Sequence, residues 1–191
     1  MATIIDSLIK NNKKMLSELE KTLDYRFTDL RLLQRGLIHS SYAFEHSEPE
    51  SNNERLEFIG DAVLDLVIGH MLFTSFPSMR EGELTRLRAA LVNETHLAEM
   101  AREIKLGDYL CLGKGETASS GSNKSSILSC AYEAVIGAVF EDAGYEVVAE
   151  LIEYFFMPAI VAKKDFLLTG DAKSRLQEKL QEKFNETPQY K

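Results

Sequence analysis

Cysteine is nearly absent from this chain. Only Cys111 and Cys130 occur, too few and too far apart for a zinc motif or a disulfide framework. A reducing compartment fits best. Long apolar runs are missing as well. No stretch approaches the roughly 20 apolar residues that span a bilayer. The segment from Met1 to Leu23 alternates apolar and charged residues at helical spacing and has no signal-peptide core. The expectation is a cytoplasmic protein with no membrane segment. Positive charge is scarce: 22 Lys and Arg stand against 30 Asp and Glu, a net charge of −8. That balance opposes a nucleic-acid binder acting through a broad basic surface. Period-two alternation, the mark of half-buried strands, is almost missing, and so are internal repeats and low-complexity tracts.

What is present is helical. The 191 residues are 45% apolar and 27% charged, the balance of a globular chain with one core and the start of a second module. A period near 3.6 places an amphipathic helix over Lys13 to Leu23 and a short one capped by Thr28 or Asp29 and running to about Ile38. The polar stretch Glu45 to Asn52 contains Pro49 and reads as a loop. A long helix follows from about Asn53 to Phe76 and stops at Pro77. Another is expected over Glu81 to Ile104. Gly107 to Asn123, with four glycines and three serines, is the longest non-helical stretch, and that length argues for a functional loop. Helices are then expected at Ser126 to Ala143 and Glu146 to Ala162, a linker to Gly170, and a last helix over Asp171 to Phe184.

The chemistry concentrates in two of these helices. Glu54, Glu57 and Asp61 are spaced by three and four, which puts three carboxylates within about 60° of one helix face. They repel one another, and they are embedded among Leu56, Phe58, Ile59, Val63 and Leu64. Carboxylates clustered at the edge of a core call for a cation, and oxygen ligands without a Cys/His pattern suit Mg²⁺ or Mn²⁺ over Zn²⁺. A solvated acidic stripe is the bland alternative. Against it stands Glu133, the odd charged residue in the otherwise apolar run Ile127 to Gly137. Gly60 and Gly137 would let two helices approach closely and set Asp61 against Glu133. Glu81 either joins the site or simply favours its own helix N-terminus. Asp65 is expected to be solvated or ion-paired.

The run Glu54-Arg55-Leu56-Glu57-Phe58-Ile59-Gly60-Asp61-Ala62-Val63-Leu64 resembles the signature of the ribonuclease III family. Leu37 to Tyr42 resembles the His-Ser segment before it, Glu81 to Ala89 the element after it, and Leu106 to Leu128 the loop and second acidic helix. The resemblance covers about residues 10–163. It implies an all-α, dimeric nuclease domain over 1–163, a linker over 164–170, and over 171–191 the truncated start of a double-stranded-RNA-binding domain. By resemblance, Glu57, Asp61 and Glu133 are metal ligands, with Asp61 and Glu133 the most critical catalytically. Glu54 and Glu81 surround the site, Lys124 contacts phosphate, and Phe58 inserts into a partner subunit of a homodimer. There is one departure. The family usually has Asp three residues before the second-helix Glu, and here Cys130 stands in that place, a soft and weak ligand for Mg²⁺.

The reaction implied is metal-dependent hydrolysis of double-stranded RNA, including precursors such as rRNA, to 5′-phosphate and 3′-hydroxyl ends. The cation, Mg²⁺ or Mn²⁺ in its place, would orient water and neutralise charge on the phosphoryl oxygens. Duplex selectivity would rest on A-form shape and 2′-hydroxyls. His39 is read as structural, and Ser40 and Ser41 as helix-end residues, because no Gly-x-Ser-x-Gly elbow surrounds them. Gly113-Lys114-Gly115 lacks the order of a phosphate-binding loop. Two other readings stay open: a catalytically weakened or inactive double-stranded-RNA-binding module, which Cys130 favours, and an all-α Mg²⁺-dependent nucleotide pyrophosphohydrolase.

Overall fold

A computed structural model describes residues 3–170, with side chains to residue 162. The final helix expected over Asp171 to Phe184, and the RNA-binding segment to which it was assigned, lie outside the described residues. Among those described, the elements are helices: α1 (Ile4–Leu23), α2 (Leu30–Gly36), α3 (Ser40–Glu45), α4 (Glu54–Ser75), α5 (Glu81–Leu91), α6 (Glu94–Glu103), α7 (Lys114–Ala118) and α8 (Ser125–Gly170). Short 3₁₀ turns occupy Pro49–Ser51, Leu106–Tyr109 and Gly121–Asn123. No helix among them is long and apolar enough to cross a membrane.

Several expected boundaries move. α1 begins at Ile4, because Thr3 and Asp6 form a reciprocal capping box at its N-terminus. Glu81 to Ile104 is two helices instead of one. Asn93 interrupts it by turning its side-chain oxygen back onto His96 N at 2.9 Å, which caps α6. The stretch 107–123 is more ordered than expected. Its N-terminal end pairs with the segment before α3, where Cys111 N donates to Leu37 O at 2.8 Å and His39 N to Cys111 O at 3.1 Å. Further on, Gly113 N donates to Ser41 Oγ at 2.9 Å and Lys114 N to Glu45 Oε1 at 2.8 Å, fixing the start of α7. After residue 125 two helices meet at a kink at Gly144, whose φ of 81° and ψ of −173° only glycine adopts without strain, and this is the break expected between Ala143 and Glu146. The second of them runs on through 164–170, so the segment expected as a linker is helical.

The core is built around α4 and α8. α4 buries Leu56, Gly60, Val63, Leu64, Val67, Ile68, Met71 and Leu72 along one stripe. The first half of α8 is apolar almost all round, and Leu128, Ala131, Tyr132, Ala134, Val135, Ile136, Ala138 and Val139 are buried. It can be so because α2, α4 and α6 pack around it. Each such Leu, Ile or Val contributes about 1.5–3 kcal/mol by leaving water. Polar anchors fix the ends. Asp142 on α8 accepts from Tyr25 Oη at 2.5 Å, Thr28 N at 2.8 Å and Asp29 N at 2.9 Å, tying α8 to the turn before α2. Burial works against ionising Asp142, but those three donors outweigh it and hold the carboxyl below its ordinary range.

Candidate metal centre

The crossing of α4 and α8 is unusually close because both helices present glycine there. A Cβ on Gly60 would overlap the Glu133 carbonyl oxygen and stand 2.7 Å from its carbonyl carbon and 2.9 Å from Gly137 N. A Cβ on Gly137 would overlap the Leu56 carbonyl oxygen and lie 3.0 Å from Ile59 Cγ2. Backbone thus rests on backbone, and the side chains one turn away on each helix converge instead of being held apart. The pairing expected from Gly60 and Gly137 is what the fold contains.

Those side chains line a cleft of about 690 Å³. α4 contributes Glu54, Glu57, Phe58 and Asp61, α8 contributes Ser126, Ile127, Cys130 and Glu133, and His39, Ser40 and Asn53 close one end. One ligand atom from each of Glu57, Cys130 and Glu133 lies within 4.8 Å of the other two. Asp61 lines the same cleft but is exposed and stands outside that tightest cluster. The start of α4 is held by neighbours of the acidic residues. Asn52 Oδ1 accepts from Glu54 N at 3.1 Å, and the buried Asn53 donates its Nδ2 to Gly36 O at 3.3 Å.

The electrostatics express the crowding. Burial, then repulsion from Asp61 and Glu57, pushes the Glu133 carboxyl up to about 7. Burial, a hydrogen bond to Glu57, and the charges of Glu57 and Glu133 push the Cys130 thiol up to about 12. The cleft therefore disfavours more negative charge, and a small divalent cation is the natural way to offset it. The donor chemistry fits such an ion: Glu57 and Glu133 supply hard oxygens from opposite helices, with the Asp61 carboxylate beside them.

The other expected site residues divide. Glu54 is in the cleft and exposed, and Phe58 lies at its edge, 78% exposed. Glu81 is not brought to this cleft within the protomer. It begins α5, accepts from Thr85 Oγ1 at 2.8 Å, and borders a separate cleft with Leu72, Phe73, Met79 and Leu84, as its helix-end reading anticipates. Lys124 precedes α8 but is engaged with Glu116 at 2.6 Å and with Ser119. Asp65 pairs with Arg88 at 3.6 Å, the ion-paired expectation. His39 caps α3, its Nδ1 against Ser41 Oγ at 2.8 Å, which is the structural role expected. Its place on the cleft wall was not legible. Ser126 was also missed, although its spacing to Cys130 and Glu133, four and seven residues, puts all three on one face of α8.

Fold and cleft together define an all-helical protein with an acidic cleft at the crossing of its two central helices. Known proteins narrow that class. A family profile described as ribonuclease-III-like matches residues 29–160. Ribonuclease 3 of Desulfotalea psychrophila is 64% identical over 191 residues, all of this chain and 79% of that protein. Ribonuclease 3 of Oleidesulfovibrio alaskensis is 49% identical over 92% of this chain and 77% of its own length. Among solved structures, the nuclease domain of ribonuclease III from Campylobacter jejuni superposes with a TM-score of 0.68 at 46% identity, covering 74% of this chain and 98% of that one. The chain belongs to the ribonuclease III family, and the all-α fold expected from the sequence is the nuclease-domain fold of that family.

Proposed function

We propose that this chain is an endonuclease that hydrolyses phosphodiesters in double-stranded RNA with a divalent cation, Mg²⁺ or Mn²⁺. The observation that carries the reading is the convergence of Glu57 and Glu133 from two helices, with Asp61 in the same cleft. Glu57, Asp61 and Glu133 would hold the cation. When bound, it supplies an oriented nucleophile and neutralises charge developing on the phosphoryl oxygens. The rest falls to this chain's own residues. Glu57 and Glu133 are anchored on helices whose backbones touch, so their separation is set by packing, not by flexible loops. Glu54 extends the acidic wall towards the mouth, where water and backbone phosphates enter. In-line hydrolysis there leaves 5′-phosphate and 3′-hydroxyl ends, and structured precursors such as rRNA are the proposed targets. Loss of the pyrophosphohydrolase alternative follows from the family match.

Homodimerisation belongs to the same proposal. Phe58, Leu66 and Phe73 are 78%, 59% and 68% exposed. They lie within about 80° of arc on α4 at 100° per residue. An apolar stripe of this kind marks an interaction face. The Campylobacter jejuni nuclease domain has a region involved in dimer formation, which supports a second copy as the occupant.

The test is cleavage of an end-labelled RNA duplex at low salt with EDTA, Mg²⁺ or Mn²⁺. Low salt compensates for weak phosphate binding by an acidic chain. Cleavage requiring either metal and lost in Asp61→Asn and Glu133→Gln is expected. Duplex binding without cleavage under both metals would instead support the binding-module reading that Cys130 favours.

A further inference from the structure

We propose that the end of the cleft walled by His39, Ser40 and Ser126 is a subsite for an RNA backbone phosphate, separate from the carboxylates, and that the Nε2–H of a neutral His39 is its principal donor. The inference rests on RNA being the substrate, as proposed above. It concerns how this chain's own residues hold that substrate.

The tautomer of His39 follows from its neighbours. Ser41 N donates to Nδ1 at 3.3 Å, the bond that caps α3. Ser41 Oγ stands 2.8 Å from the same nitrogen. That hydroxyl already accepts from Gly113 N at 2.9 Å, which leaves its own proton to point at Nδ1. With Nδ1 accepting from both groups, the ring proton of neutral His39 sits on Nε2. The ring lines the cleft, and no group among the described residues bonds to Nε2. The ring is thus fixed from behind by α3 and the segment leading into α7. Its free donor is held in place before a ligand arrives.

The other lining groups show why a phosphate suits this end. The ionised carboxylates elsewhere in the cleft only accept hydrogen bonds. Asn53 has committed its Nδ2 to Gly36 O, and the Cys130 thiol bonds to Glu57. The donors left are His39 Nε2 and the hydroxyls of Ser40 and Ser126. A phosphodiester offers acceptor oxygens alone, so it meets partners at this end and repulsion beside the bare carboxylates. Glu116, whose carboxyl lies close enough to feel His39, is paired with Lys124 at 2.6 Å, which offsets its charge. Phosphate contacts of this kind fix register and orientation without reading bases.

The experiment measures binding of a fluorescently labelled RNA duplex to the full chain by anisotropy, at low salt in Ca²⁺, a cation that prefers oxygen ligands. His39→Asn keeps an oxygen to cap Ser41 N and removes the Nε2 donor. It should melt as wild type does, while duplex affinity falls about two- to tenfold, the worth of one neutral hydrogen bond. His39→Gln reverses the pattern. Its amide nitrogen reaches the place of Nε2, but Gln is not a favoured cap. It should melt lower and bind like wild type. Ser126→Ala, at an exposed position of α8, should weaken binding with no loss of stability. Duplexes with one methylphosphonate linkage identify the group held. The linkage whose substitution weakens wild-type binding should cost nothing further in His39→Asn. Wild-type affinity in His39→Asn, affinity that tracks melting temperature across the variants, coupling to a 2′-deoxy substitution instead of the methylphosphonate, or no duplex binding by wild type overturns the proposal. Cleavage assays separate the two readings. The expected affinity pattern, without cleavage by wild type in Mg²⁺ or Mn²⁺, sinks the nuclease while the subsite stands; cleavage by wild type, with His39→Asn binding unchanged, does the reverse.

Discussion

Replacing Gly60 with alanine tests the physical basis of the site more directly than removing a ligand. The added Cβ would stand 2.7 Å from the Glu133 carbonyl carbon, where carbon–carbon contacts settle near 3.5–4.0 Å, so α4 and α8 must part locally by roughly 1 Å. Neither side can yield by rotating a side chain, because the obstruction is backbone. Overpacking alone costs about 1–3 kcal/mol, and backbone-on-backbone overlap belongs at the upper end. Better helix propensity returns about 1 kcal/mol. A net loss of about 2 kcal/mol is expected by urea unfolding, with an unchanged m-value. The same parting separates Glu57 from Cys130 and Glu133, so affinity for Mn²⁺, measured by calorimetry, should fall at least about tenfold, or 1.4 kcal/mol. Gly82→Ala is the control. It lies in α5 with nothing within 4 Å of the new Cβ, and should stabilise by about 0.5–1 kcal/mol with cation affinity unchanged. A Gly60→Ala protein as stable as wild type, with intact Mn²⁺ binding, would refute the argument that the glycine crossing sets the ligand spacing.

Three further outcomes follow from the same structure. The Glu133 carboxyl is raised to about 7, chiefly by burial and by Asp61 and Glu57, so ionising it opposes folding. The cation-free protein should lose stability as pH rises from about 4.5 to 7, whereas saturating Mg²⁺, at 100 times its dissociation constant, should add about 2.7 kcal/mol at pH 8 and much less at pH 5, read by thermal melts. Asp142 has the opposite sign. Its depressed carboxyl stabilises above the ordinary 3.8, and that stability is lost as pH falls through the lower folded value. Asp142→Asn should therefore cost about 1–2 kcal/mol at pH 7, with the gap to wild type closing in acid; a gap independent of pH would contradict the three-donor account. Phe58→Asp should leave the monomer folded, since the ring is 78% exposed, but abolish a concentration-dependent dimer in sedimentation experiments; an unaltered dimer would remove the α4 stripe from the interface.

Much of the fold was legible because helical periodicity is a local property. The long apolar helix ending at Pro77, the short helix capped by Asp29, and the polarity of the stretch before α4 follow from residues within a turn or two of one another. Part of what was misjudged was also local but subtler. Asn93 caps a new helix in the middle of a run whose composition reads as continuous, and Thr3 starts α1 well before its apolar pattern becomes clear. The stretch 107–123 hid its order because Ser41 and Glu45, which hold it, lie more than 60 residues away, at separations of 72 and 69.

The sequence by itself determined that Glu54, Glu57 and Asp61 share a helix face, that Glu133 is anomalous among apolar neighbours, and that Cys130 stands one turn before it. Each of these is a matter of spacing along one helix, whose period fixes direction. Only the tertiary structure decided which of these groups meet. It set Glu57 with Cys130 and Glu133 in the closest cluster, left Asp61 at the exposed side of the cleft, and carried Glu81 to a different one. The reason is that distances between helices are fixed by how closely two backbones pack, here by Gly60 against Glu133 and Gly137 against Leu56, and that closeness depends on residues about 75 positions apart acting together.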